Sequence, residues 1–191
     1  MSARAARQSK VLRKAMMHAS EALSLTVAYR FKPRGVDVSF HDPLALPNLW
    51  RGREETPVCA AFYEVRGDLS GYLLLVFSFE DMEELAQALL GEEGRDEAMV
   101  DSALGELGNI VGSAFLNYLA DHLQISAAPT PPQVVRDMMG AVLESVAAAV
   151  AAEGKSEVPV IQTTFTQSER SVDGFLLWIT DPEAIQQLGA N

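Results

Sequence analysis

The chain has 191 residues, 48% of them hydrophobic, and a net charge of −11. That is enough apolar content for one sizeable core, and the acidic balance argues against broad binding to nucleic-acid phosphates. No run of 18 apolar residues occurs, a single cysteine (Cys59) excludes a disulfide within the chain, and "MSARAARQSKVLRK" lacks the apolar core of a signal peptide. A cytoplasmic protein without membrane insertion is therefore expected.

Charge is uneven along the chain. Residues 1–14 hold Arg4, Arg7, Lys10, Arg13 and Lys14 and no acid, so the remaining 177 residues carry 10 basic and 26 acidic side chains. This basic start reads as a frayed, solvated helix entrance. A helix is predicted over about 10–31 ("KVLRKAMMHASEALSLTVAYRF"), then a strand that becomes the Pro-rich connection "GVDVSFHDPLALPNLWRGREETP". "TPVCAAFYEVRGDLSGYLLLVFS" follows as a β-hairpin, its polar gap supplying the turn. The acidic start of "FEDMEELAQALL" marks a helix N-terminus, and 91–99 reads as a solvated acidic loop.

A long helix comes next, containing "DSALGELGNIVGSAFLNYLADHL" (101–123). After a Pro-rich turn, a second helix is predicted over about 134–154, then the hairpin "VPVIQTTFTQSERSVDGFLLWIT" and a last helix opened by Pro182. The two hairpins repeat one another: Gly71-Tyr72-Leu73-Leu74 answers to Gly174-Phe175-Leu176-Leu177. The order predicts an α+β fold, one domain over 1–191 made of pseudo-twofold halves (about 10–91 and 96–190), each with long helices packed on antiparallel hairpins.

The central helix carries Gly105, Gly108 and Gly112, each costing about 0.8–1 kcal/mol relative to alanine. At 100° per residue, Leu104, Leu107, Val111, Phe115, Tyr118 and His122 form a core stripe. Ser102, Glu106, Asn109, Ser113 and Asn117 line the opposite face, and the glycines occupy one flank between the two. They permit close approach of another backbone, either within the protein or from a partner lying over the polar face.

Ser102-x-x-x-Glu106-x-x-Asn109, followed by 22 residues and Pro132, resembles the signature of the CheC/CheX/FliY phosphatases of bacterial chemotaxis. The flanking "GELGNIVGSAFLNYLA", "PPQVVRDMMGAVLESV" and the paired hairpins are similar to that family too. The resemblance implies a CheC-like fold and hydrolysis of the phosphoaspartate of a CheY-like response regulator in two-component signalling. It gives Asn109 the part of orienting the attacking water and Glu106 that of docking on the partner's lysine. Ser102 is auxiliary and Pro132 shapes the turn after the helix. The protein needs no cofactor of its own, Mg²⁺ being carried by the regulator. Two-site relatives repeat the signature in the first helix. Placing Leu23 on Leu119 puts Lys10 opposite Glu106 and Arg13 opposite Asn109, so a single site is expected here.

Other chemistry is less supported. His18, His41 and His122 have no ligand partners at metal-binding spacing, Cys59 sits in a predicted buried strand, and "GELGNIVG" lacks the P-loop lysine. The alternative reading is a non-enzymatic CheC-like adaptor or sink that binds a response regulator or a CheD-like partner. A flagellar-switch component is disfavoured, because the sequence ends about ten residues after its last predicted hairpin strand.

Overall fold

A computed structural model describes residues 3–91, 96–167 and 173–189. The elements run α1 (Ala3–Val27), β1 (Phe31–His41), a 3-10 segment (Pro43–Trp50), β2 (Pro57–Gly67), β3 (Gly71–Ser78) and α2 (Phe79–Leu90). The second half runs α3 (Glu97–Leu123), β4 (Ala127–Pro129), β5 (Gln133–Met138), α4 (Met139–Ala152), β6 (Val158–Gln167), β7 (Asp173–Thr180) and α5 (Pro182–Gln187).

Among the described residues the strands form one sheet in the order β1-β6-β7-β3-β2, with both β4 and β5 paired to the far edge of β2, and every pairing is antiparallel. The hairpins β2–β3 and β6–β7 meet where β3 lies beside β7, and there Leu74 stands directly opposite Leu177. These are matching residues of the two G-aromatic-LL motifs, so the pseudo-twofold axis passes between them. Around it β1 corresponds to β5, α1 to α3, and α2 to α5.

The hairpin strands are apolar on both faces because both faces are covered. Cys59, Ala61, Tyr63, Leu73, Leu75, Phe77, Leu176 and Trp178 share a core with α1, α2, α3 and α5. The alternate residues Val58, Ala60, Leu74, Val76, Phe175, Leu177 and Ile179 pack on the other face against α4 and the 3-10 segment.

Several expectations need correction. The basic start is part of a helix, because α1 begins at Ala3 and is held by Arg4 Nη2 donating to the Gln186 carbonyl (3.0 Å) and Gln8 Nε2 to that of Ile185 (2.7 Å). It ends at Val27, since Ala28 turns into a left-handed conformation (φ 57°) before β1 starts. Residues 133–138 form β5, and the helix begins only at Met139, because Val134 and Val135 fill the open edge of β2 opposite Ala61 and Ala60. Finally, His122 is exposed, its ring 6.1 Å from the stacked Tyr118 ring near the end of α3. The acidic loop expected at 91–99 also gives way to helix at its end, since Glu97–Met99 open α3 behind the Asp96 cap, and residues 92–95 lie outside the described residues.

Candidate functional site

α3 is set rigidly. Asp96 caps its start by accepting from the Met99 N–H (2.8 Å), and Gln124 closes it in a left-handed conformation. Leu104, Leu107, Val111, Phe115, Leu116 and Leu119 are buried against the sheet and α1. Arg136 of β5 clamps the first turns: it forms an ion pair with Asp101, donates to the Glu97 carbonyl (3.1 Å), and lies 5.9 Å from the centre of the Phe79 ring. Burial opposes its charge, but the hydrogen bond to Asp101 prevails and holds the guanidinium above its usual pKa.

On the opposite face Ser102, Glu106 and Asn109 are all exposed, at i, i+4 and i+7 along one line. Among the described residues no hydrogen bond or ion pair engages their side chains. A carboxylate and a carboxamide one turn apart are thus presented on a helix whose other side is locked, with their donors and acceptors free for a partner.

The glycine flank divides in two. A Cβ on Gly108 would lie 2.6 Å from Tyr63 Oη and 2.7 Å from Ala61 Cβ, and one on Gly112 would lie 3.0 Å from Leu73 Cδ2. These two glycines serve packing of α3 on β2 and β3. Gly105 is half-buried, and its added Cβ would meet only Val134 Cγ2 at 3.6 Å and Pro132 Cγ at 3.8 Å. All four residues of the signature are therefore brought together: Ser102, Glu106 and Asn109 in a row, and Pro132 against the helix at Gly105.

A groove of about 350 Å³ borders Glu106 on the side of α1 and α2, walled by Thr26, Leu89, Leu90, Met99, Ala103 and Leu107. Its walls come from segments far apart in the chain, and no motif marked them. Arg136 was missed as well, because "QVVRDM" has no regular polar-apolar alternation and becomes a strand only by pairing with the edge of β2. Cys59 is buried, and desolvation pushes its thiol up to about 11, so it is unreactive at neutral pH. Among the described residues no group of three or more His, Cys, Asp or Glu could hold a metal ion, and no helix is long and apolar enough to cross a membrane.

A pseudo-twofold α+β sheet bearing an exposed Ser-Glu-Asn line on its central helix defines the CheC-like class of folds. The Chemotaxis phosphatase CheX family model matches residues 59–153, which span β2 to the end of α4. Over 144 residues the chain is 28% identical to the CheY-P phosphatase CheC of Bacillus subtilis (strain 168), covering 72% of this chain and 69% of that protein. The chain belongs to the CheC/CheX/FliY family of chemotaxis phosphatases. Among solved structures, FliY of Thermotoga maritima superposes with a TM-score of 0.69 at 15% identity, covering 94% of this chain and 90% of that one. CheX in a CheX–CheY–BeF3–Mg²⁺ complex from Borrelia burgdorferi gives 0.55 at 16% identity, over 87% and 96% of the two chains. At these identities the two structures speak for the fold.

Proposed function

We propose that this protein, working as one CheC-like unit in the cytoplasm, hydrolyses the phosphoaspartate of a CheY-like response regulator through Glu106 and Asn109. Membership of a phosphatase family supports the reaction class. One observation carries the assignment of residues: Glu106 and Asn109 are exposed and unengaged on a helix that is clamped at its start and buried along its back.

In this reading the helix docks over the phosphorylated aspartate. The Glu106 carboxylate pairs with a cationic side chain of the regulator and fixes the register. The Asn109 carboxamide oxygen accepts from a water and holds it in line with the scissile bond. The water oxygen forms the new P–O bond, the acyl-phosphate P–O bond breaks, and the aspartate leaves as a carboxylate. A carboxamide suits this work because it orients water without competing as a nucleophile. Charge developing on the phosphoryl oxygens is met on the regulator's side of the interface, where the Mg²⁺ would reside. Ser102 is an auxiliary polar contact, and Pro132 backs the helix at Gly105.

The pseudo-equivalent positions on α1 are Lys10 and Arg13, which can fill neither role, so the reading is of a single site. A CheC-like adaptor, binding a regulator or a CheD-like protein without turnover, is the competing function, and Asn109 separates the two. The test is decay of a ³²P-labelled CheY-like regulator from the same organism with wild type and Asn109→Ala. Acceleration by wild type that is lost in the variant, with binding retained, supports the phosphatase. Binding without acceleration by either form makes the protein an adaptor.

A further inference from the structure

The charge that the sequence concentrates in residues 1–14 reaches a definite place in the fold. With Leu23 placed on Leu119, α1 and α3 have matching burial: Val11 with Leu107, Leu12 with Gly108, Ala15 with Val111, Met16 with Gly112 and Ala19 with Phe115 are all buried. The two helices run antiparallel, so the groove beside Glu106, between the start of α3 and the end of α1, has an image between the start of α1 and the end of α3. The structure contains that image, a groove of about 220 Å³ lined by Arg7, Lys10, Val11, Lys14, Tyr118 and His122. Position by position, Arg7 replaces Ala103, Lys10 replaces Glu106, Val11 replaces Leu107, and His122 replaces Thr26.

The scaffold is conserved between the halves while the charge is inverted. Arg7, Lys10 and Lys14 are exposed at i, i+3 and i+7, so they project on one side of α1. Among the described residues none of them is in a salt bridge, although the protein is strongly acidic overall. The facing wall is a ladder of rings: Tyr118 stacks on His18 at 4.8 Å, and the His122 ring runs parallel to it. The nearest acids along these helices lie outside the lining: Glu21 is beside His18 (3.9 Å), and Asp121 precedes His122.

We propose that this groove is a second ligand site, built for a small di- or polyphosphate anion. Three cations that no described acid pairs converge on a concavity that also offers ring N–H and phenol O–H donors, which is the donor set such an anion requires. The concavity is smaller than the usual range of about 300–1,000 Å³ for drug-sized ligands. That size favours a compact anion over a protein loop. This inference does not depend on the phosphatase reading, because the groove lies at the opposite end of the α1–α3 pair from Glu106.

The experiment is isothermal titration calorimetry of inorganic pyrophosphate into the protein at about 50 mM salt, where screening is moderate. Wild type is expected to bind one pyrophosphate. Lys10→Glu/Lys14→Glu is expected to weaken binding about tenfold or more, as loss of two charge-assisted contacts requires. The milder Lys10→Gln/Lys14→Gln, which keeps the helix free of new acids, should weaken it in the same direction. Lys32→Gln/Arg34→Gln on β1, which removes two exposed cations elsewhere, should leave it unchanged, as should Glu106→Gln. Equal weakening by the β1 pair, no weakening by either α1 pair, or no binding by wild type overturns the proposal. A glutamate-rich peptide that binds the same face while pyrophosphate does not also overturns it, making the patch a protein-docking surface.

Discussion

Tyr63 Oη lies directly beneath Gly108, so close that an added Cβ would sit 2.6 Å from it, and Ala61 Cβ is equally near at 2.7 Å. The hydroxyl is buried and has no hydrogen-bond partner among the described residues, which leaves it a packing element under the central helix. Gly108→Ala therefore cannot gain the usual helix-propensity benefit. It must lift α3 or push the sheet, at a cost of about 1–3 kcal/mol. Tyr63→Phe removes an unsatisfied polar atom and should be neutral or slightly stabilising on its own. Combined with Gly108→Ala it should recover part of the loss, but only part, because Ala61 remains in the way. Urea unfolding of the two single variants and the double variant measures each quantity.

Gly105 is expected to behave oppositely. Its added Cβ meets Val134 and Pro132 at ordinary van der Waals distance. Gly105→Ala should stabilise the protein by up to about 1 kcal/mol through helix propensity. If the helix docks on a regulator, a methyl beside Glu106 raises the KM for the phosphorylated regulator while thermal stability rises. A gain in stability with unchanged KM would assign Gly105 no part in docking.

Glu106 and Asn109 should fail in different ways. Replacing Glu106 by Gln keeps the shape and removes the charge that pairs with the partner. The expected result is weaker regulator binding with stronger loss at low ionic strength, where the wild-type attraction is largest. Asn109→Ala should lower turnover at saturating regulator and leave binding nearly intact. Single-turnover decay measured over a range of regulator concentrations and two salt concentrations separates the two effects.

The hairpins were legible because strands covered on both faces read as continuous apolar runs, and the repeated G-aromatic-LL placed Leu74 opposite Leu177. The core stripe of α3 was legible from helical periodicity as far as Tyr118. Tyr118 is half-buried against the core, as periodicity expects, and only at His122 does the stripe fail, where the helix's last turn reaches the solvent-facing groove beside α1. Val134–Met138 was misread as helix because five residues with apolar spacing suit either period. The open edge of β2, a tertiary fact, decided the outcome. The groove beside Glu106 was illegible for a related reason: Thr26, Leu89 and Leu90 reach Glu106 only once α1 and α2 have packed on α3.

Arg136 is the residue that turns β5 into a support for the site. It joins Asp101, the Glu97 carbonyl and the Phe79 ring across three elements. Arg136→Met keeps much of the apolar stem but leaves Asp101 and the carbonyl without their donor. A loss of about 1–2 kcal/mol is expected, since the pair is only partly buried. The loss should be local: hydrogen exchange should quicken in the first turns of α3 and remain unchanged near Phe115, which the core holds independently.

A polar latch on the far side of the sheet gives the fold a defined acid response. Lys155 Nζ contacts Glu153 at 2.5 Å and Asp181 at 2.6 Å, and Asp181 also accepts from Ser70 Oγ at 2.6 Å. Burial by itself would raise the pKa of Asp181, but hydrogen bonds from Lys155 and Ser70 outweigh it and hold the carboxyl below its ordinary value of 3.8. A depressed folded-state pKa contributes stability that is fully present above the unfolded value and is lost as pH falls through the folded one. Asp181→Asn should therefore destabilise the protein at pH 7 by about 1–2 kcal/mol. The gap between variant and wild type should close progressively below pH 4, as wild-type Asp181 takes up its proton. Burial opposes the charge of Lys155 as well, yet its two carboxylate partners raise its pKa, so Lys155 stays protonated throughout and the pair is lost in acid only through its carboxylates. Urea unfolding of both proteins between pH 2.5 and 7, values chosen to span about the carboxylate range, tests the sign. A gap that stayed constant with pH would mean that the Asp181 carboxyl is not depressed by these contacts.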